Sequence, residues 1–269
     1  MIKLNFRPST AIARLVFLDG LRRQAIVGLI LFALIAEFFG MFFMDFFGRD
    51  IGRASGDYLF SIMWISGMFF LFFHAVQTIA LDEERKTIYN IISRPISRNQ
   101  YVFGMLLGLG LLLILLHTIF GAVSLGTLYW IKSSLQAEYF TQLNSNYFIL
   151  TWLGLVLTQF IILSVILLFS GLLRGGFPVM LVSVAYYLIC SGLPVAREYA
   201  AQLTDETFKH ILTGLSFIFP DFSRLDYKDA IVGTLDSSIG TLVESFFGML
   251  VYMLIIIFFA CAAYRNKDI

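Results

Sequence analysis

Five stretches of this sequence carry no formal charge for 20 residues or more: Tyr58–Leu81 (24 residues), Asn99–Ile131 (33), Tyr139–Leu173 (35), Gly175–Ala196 (22) and Ser245–Tyr264 (20). A water-soluble fold must carry charge on its surface, so runs of this length have no place in one. A hydrocarbon core of about 30 Å is crossed by about 20 helical residues, each rising about 1.5 Å. All five runs therefore qualify as spans. A sixth, residues 24–47, is almost wholly apolar but holds Glu37 and Asp45. Asp45 sits near one end, and a single mid-helix acid costs about 2.5–3.5 kcal/mol on insertion scales, which the neighbouring Leu, Ile and Phe residues outweigh. The expected fold class is all-α, a polytopic membrane protein in one transmembrane domain, residues 1–269. Its six transmembrane helices lie near 24–47, 58–81, 101–131, 145–173, 176–193 and 241–264.

Composition agrees. Hydrophobic residues make up 59% of the 269 and charged residues 14%, where soluble domains average about half and about a quarter. A soluble enzyme and a disordered chain are both excluded. The net charge of +1 gives no whole-molecule attraction to nucleic acid. Cys190 and Cys261 fall inside apolar runs and read as small buried hydrophobes, with no disulfide framework. The sequence has no GxxxxGK[ST] phosphate loop, HExxH, GxSxG or paired-Cys spacing, so neither covalent catalysis nor a metal or other cofactor is expected of this chain.

Lysine and arginine set the orientation. With both termini inside, the inner segments hold 12 Lys and Arg and the outer segments 7, four of them in one long outer loop. The excess favours N-in, C-in. The residues before the first span do not follow a signal-peptide layout, and 10–23 reads as a cytoplasmic interfacial helix.

Two segments outside the membrane are large enough to do more than connect. The inner one is Leu81–Tyr101. Asp82, Glu83 and Glu84 precede Arg85 and Lys86, placing acids in the opening turn of a helix. Ile88, Ile91 and Ile92 then form one apolar stripe, and Pro95 ends the helix at Arg94. A helix resting on lipid headgroups is one reading; three consecutive acids facing a negative leaflet favour a protein-docking element. The outer one is 194–240. Thr204 caps a helix carrying Phe208, Ile211, Leu212, Leu215 and Phe219 on one side, which Pro220 stops. A solvated acidic loop and a substrate-receiving surface are both open readings of this segment.

The run Glu83-Glu84-Arg85-Lys86-Thr87, then Ile91-Ile92-Ser93-Arg94-Pro95-Ile96-Ser97-Arg98, then Tyr101 and Gly104, resembles the loop between spans 2 and 3 of ABC-2 type transporter permeases. Phe219-Pro220-Asp221-Phe222-Ser223-Arg224-Leu225-Asp226 is similar to a Pro-containing segment of the multi-copper enzyme maturation permeases within that family. The resemblance implies the membrane subunit of an ATP-binding cassette exporter in a prokaryotic inner membrane. Residues 82–98 would be its coupling helix, docked on a separate ATPase present in two copies. It also implies a second permease chain, as homodimer or close homologue, ATPase contacts from the N-terminal helix, and short helices between spans 5 and 6. Docking would fall to Glu83, Glu84, Arg85 and Thr87, with Ile88, Ile91 and Ile92 in a hydrophobic groove and Arg94, Pro95 and Arg98 at the turn. The competing readings are a secondary transporter and a membrane assembly factor without an ATPase.

Inside the spans, Glu37 is either on a translocation path, at a dimer seam, or a hydrogen-bonded buried carboxyl. His74, Gln77 and His117 are further path candidates, with interhelical hydrogen bonding the favoured reading. Gly104 and Gly108 suit close helix packing. The Phe clusters at 38–39, 42–43, 46–47 and 69–70 either line an apolar conduit or face core and lipid.

Overall fold

The computed structural model describes residues 7–43, 46, 48, 50–84, 96–134, 143–201, 206–231 and 239–267. Among these there is no strand. Helices α1 (Arg7–Arg22) and α2 (Gln24–Met41) are followed by α3 (Ile51–Phe69), which continues through a π-helical segment, Phe70–Ala75, into α4 (Val76–Glu84). Then come α5 (Arg98–Ser134), α6 (Ser145–Leu172), α7 (Gly176–Ala201), α8 (Glu206–Ile218), a 3-10 turn at Phe222–Leu225, α9 (Lys228–Ile231) and α10 (Ile239–Asn266).

Among the described residues, five stretches are long and apolar enough to cross a membrane: Ile51–Leu81, Arg98–Ser133, Ser145–Leu172, Gly176–Tyr199 and Leu242–Asn266. The α1–α2 pair, bent by 59°, meets the same test as one broken span. The expectation of six spans thus holds when that pair is counted as one. Helix α1 packs against α5. Ser9, Ile12, Ala13 and Val16 are buried and run lengthwise along α5, in the groove left by Gly104 and Gly108. A Cβ at Gly104 would stand 2.7 Å from Ile12 Cβ, and one at Gly108 2.8 Å from Val16 Cβ. Small residues that admit close backbone approach are the usual means of packing helices in lipid.

The fifth span also differs from expectation. It continues through Pro194 to Ala201 instead of ending at 193. Proline removes one intrahelical hydrogen bond, but Leu193, beside it, is buried against Leu212 of α8, and that packing holds the helix on. Helix α8 ends at Ile218, just short of Pro220; its expected cap, Thr204, lies outside the described residues.

Helix α6 sits at the centre, with 72% of its most apolar window buried, against 28% for α7 and 22% for α10. The outer helices therefore leave broad apolar faces bare. On α2 and in the turn that follows it, Phe38, Phe39, Phe42 and Phe43 are each at least 60% exposed. Because they point outward, they line no conduit within a single chain. Cys190 is buried and Cys261 half-buried, both as free thiols.

The bundle has two distinct ends. One, the near end, gathers the end of α4, the start of α5, the α6–α7 turn and the end of α10. The other, the far end, is covered by residues 219–231. There Arg53 pairs with Asp229 at 2.7 Å, and Arg197 with Asp221 at 3.3 Å. Lys228 lies between Asp226 (3.1 Å) and Asp57 (3.6 Å). Burial opposes the charge on Lys228, but the two carboxylates outweigh it and hold the ammonium above its ordinary pKa. The far-end acids 221, 226 and 229 are each paired with a base, Asp221 with α7 and Asp229 with α3.

Candidate functional site

At the near end, the 82–98 connection leaves α4 after Glu84 and joins α5 at Arg98. Arg85, Thr87, Ile88, Ile91, Ile92, Arg94 and Pro95 lie outside the described residues; Glu83 and Glu84 close α4. The start of α5 carries a reciprocal cap: Ser97 N donates to Gln100 Oε1 (2.9 Å) and Gln100 N donates to Ser97 Oγ (3.3 Å). This Ser-x-x-Gln arrangement satisfies two N–H groups that a helix start otherwise leaves without partners.

Arg98 turns inward across the chain. Its Nη1 donates to the carbonyls of Tyr264 (3.1 Å), Arg265 (2.8 Å) and Lys267 (2.7 Å). These are carbonyls at a helix C-terminus, which have no intrahelical donor and favour a nearby cation. Lys267 then repeats the device on α6, its Nζ donating to the carbonyls of Ser170 (2.6 Å) and Leu173 (3.1 Å). Tyr264 adds a third tie, its hydroxyl donating to Ser170 Oγ at 2.9 Å, while its ring lies 5.8 Å from that of Tyr101. Three helix ends are clasped where the 82–98 connection enters the bundle.

The buried polar residues are more dispersed. Glu37, 2% exposed, accepts a 2.8 Å hydrogen bond from Ser124 Oγ on α5 through Oε1; Oε2 has no partner among the described residues. One residue earlier, the carbonyl of Ala36 accepts from the Tyr58 hydroxyl at 2.6 Å. The carboxyl thus joins α2 to α5 beside a second tie to α3. His117 is fully buried with Nδ1 on the Leu113 carbonyl at 2.9 Å, and its own carbonyl accepts from Trp152 Nε1 at 2.9 Å. His74 lies in the π-helical segment, buried, with its ring 5.2 Å from that of Phe70. Gln77 is exposed and does not join it. Among the described residues no hydrogen bond or ion pair links any two of Glu37, His74, Gln77 and His117, and no cluster of His, Cys, Asp or Glu has the makings of a metal site.

Two contributors escaped sequence reasoning. Gln159, fully buried on α6, donates from Nε2 to the Trp64 carbonyl at 3.2 Å, directly against Gly67, where a Cβ would overlap its amide. An amide inside a charge-free run was the available signal. The cap at Ser97 and Gln100 was not read from the sequence either. The partners of Arg98 could not be read, because they lie 166–169 residues away.

The family model described as ABC-2 family transporter protein matches residues 20–198. The match is to that family and gives no support to the multi-copper maturation subgroup; the 219–226 segment that suggested it lies outside the matched stretch. No curated protein matches the chain.

Proposed function

The chain belongs to the ABC-2 transporter family, and from that membership we propose that it is the permease subunit of an ATP-driven exporter, coupled to a separate ATPase and catalysing no covalent chemistry itself. Two ATPase copies serve two permease chains, either identical or closely homologous. The bare apolar faces of α2, α7 and α10 supply surface for the second chain and for lipid. In this reading the near end is cytoplasmic, in keeping with the Lys and Arg excess, and the membrane is a prokaryotic inner membrane.

The single observation that carries the coupling role is the clasp of Arg98 and Lys267 at the exit of the 82–98 connection. The ATPase closes on Glu83, Glu84, Arg85 and Thr87, with Ile88, Ile91 and Ile92 in its groove and Arg94 and Pro95 at the turn. The clasp then turns a local push into joint movement of three helices. Such a lever suits a permease that holds no phosphate loop of its own.

The test is Glu83→Lys with Glu84→Lys in the assembled transporter. Membrane insertion should be unchanged while permease-stimulated ATP turnover is lost. Unaltered coupling would remove the docking assignment. If no ATPase co-purifies with the chain at all, the secondary-transporter or assembly-factor reading takes its place.

A further inference from the structure

A cavity of about 440 Å³ lies at the far end between α3, α6 and α7, with the 222–228 segment as its roof. Small-molecule sites run from roughly 300 to 1,000 Å³ and are mostly apolar with a few placed polar groups. Phe60 and Leu155 give it apolar walls, and Trp64 and Thr158 line it deeper in the bundle. Below them Trp64 Nε1 donates to the Tyr187 hydroxyl at 3.1 Å, with the two rings 5.6 Å apart. That pair closes the gap between α3 and α7. Ser61 and Ile65 on α3 and Ser191 and Val195 on α7 line the same space and are exposed on the bundle's flank, Ile65 by 48% and Val195 by 68%. The cavity therefore opens sideways between these two spans.

Its polar groups are lopsided. The hydroxyl hydrogens of Thr151 and Thr158 are donated to their own helix, to the carbonyls of Tyr147 (2.8 Å) and Gly154 (2.9 Å). Ser61 donates to the Asp57 carbonyl at 2.6 Å and Ser223 to Asp221 Oδ1 at 2.6 Å. Each of these oxygens offers only lone pairs inward. Pro194, also in the wall, has no N–H for the carbonyl of Cys190 one turn back. Asp226 adds a carboxylate. The one cation in the lining, Lys228, is held by Asp226 and by Asp57 just outside the lining, so its charge is already matched by carboxylates. The cavity has an apolar body, several acceptor oxygens and one carboxylate, with Ser191 supplying the remaining hydroxyl donor in its lining.

We propose that this cavity binds a single-chain amphiphile bearing an ammonium group, which enters sideways between α3 and α7. Its chain lies against Phe60, Trp64 and Leu155, and its N–H donors reach Asp226 and the threonine and Cys190 oxygens. The volume suits one alkyl chain. The proposal stands without the transport reading, because binding is a property of the chain alone.

The experiment uses the purified full-length chain in zwitterionic nanodiscs and measures the saturable binding of radiolabelled dodecylamine above its partition into empty discs. One site per chain is expected. Unlabelled dodecylamine should displace the label, and sodium dodecyl sulfate should do so at least about tenfold less well, since a charged hydrogen bond is lost. Asp226→Asn should weaken binding about tenfold. Ser191→Phe, at an exposed position where folding is not at risk, should block the side opening and abolish the saturable component; Thr158→Phe should do the same by filling the interior. Equal displacement by the sulfate, or wild-type binding in Ser191→Phe, would overturn the proposal. Neither result bears on whether an ATPase docks at 82–98.

Discussion

Arg98 and Lys267 form a two-step relay: Arg98 Nη1 donates to the Lys267 carbonyl at 2.7 Å, while Lys267 Nζ donates to Ser170 O at 2.6 Å and Leu173 O at 3.1 Å. One residue thus accepts at its backbone from α5 and donates with its side chain to α6. The relay needs both cations, and each satisfies carbonyls that a helix end leaves open.

Arg98→Ala removes a charged donor from three carbonyls. A hydrogen bond to a charged group contributes about 1.5–3 kcal/mol, and partial exposure reduces the sum, so a loss of about 2 kcal/mol is expected in reversible unfolding in mixed micelles. Arg98→Lys should recover part of it. In the assembled transporter Arg98→Ala should also lower permease-stimulated ATP turnover by a larger factor than Lys267→Ala, because it frees α10 at the point where the connection enters. Equal factors for the two variants would argue against an ordered relay.

Ser124→Ala leaves the buried Glu37 carboxyl without its partner, at a cost of about 1–3 kcal/mol. Glu37→Gln keeps an acceptor for the Ser124 hydroxyl and should stay within about 1 kcal/mol of the native chain. Thermal unfolding in detergent reads both. If Glu37→Gln is the more damaging of the two, the carboxyl does more than join α2 to α5.

Gly104→Leu drives a side chain into Ile12. Overpacking of this kind costs about 1–3 kcal/mol, and here it should lift α1 away from α5. The expected signature is faster protease cleavage within Arg7–Arg22, with the remaining spans still protected. Uniform cleavage across the bundle would show instead that the whole fold had loosened.

The Lys228 ties have a pH dependence whose sign follows from its raised pKa. Its ordinary value is 10.5. A base whose folded pKa lies above its unfolded one stabilises fully below the unfolded value and loses that contribution as pH rises through the folded value. The far-end roof should therefore hold unchanged from neutrality to about pH 10 and loosen only above 10.5, read as increased acrylamide quenching of Trp64. Lys228→Met should remove the high-pH step. A step near pH 7 would assign the closure to another group.

What the sequence made legible is what depends on local rules. Charge-free runs reveal spans because the bilayer excludes charge from any long lipid-facing helix, and Gly104 and Gly108 were readable as a packing surface. The sequence did not say that α1 would be the helix received there, since its Arg14, Asp19 and Arg22 mask the buried stripe of Ser9, Ile12, Ala13 and Val16. Pro194 read as a boundary because proline disfavours helix interiors; distant packing on Leu212 decides otherwise. The Arg98 clasp and the cavity are assembled from residues far apart in the chain, and no local pattern reports such a meeting. Arg98 was read as part of the turn beside Pro95, and its bonds to the carbonyls of residues 264, 265 and 267 were not foreseeable from that local motif.

Helix α5, at 37 residues, is roughly 55 Å long at 1.5 Å per residue, nearly twice the oily thickness of a bilayer. A rod so oversized leans, or stretches the lipid around it, and mismatch of this kind is felt as fractions of a kcal/mol per ångström. Helix α1 packs along its near-end portion, so part of this length is covered by protein on one side. Membrane thickness thereby becomes a mechanical variable for this molecule: a thinner bilayer tips α5 and carries α1 with it.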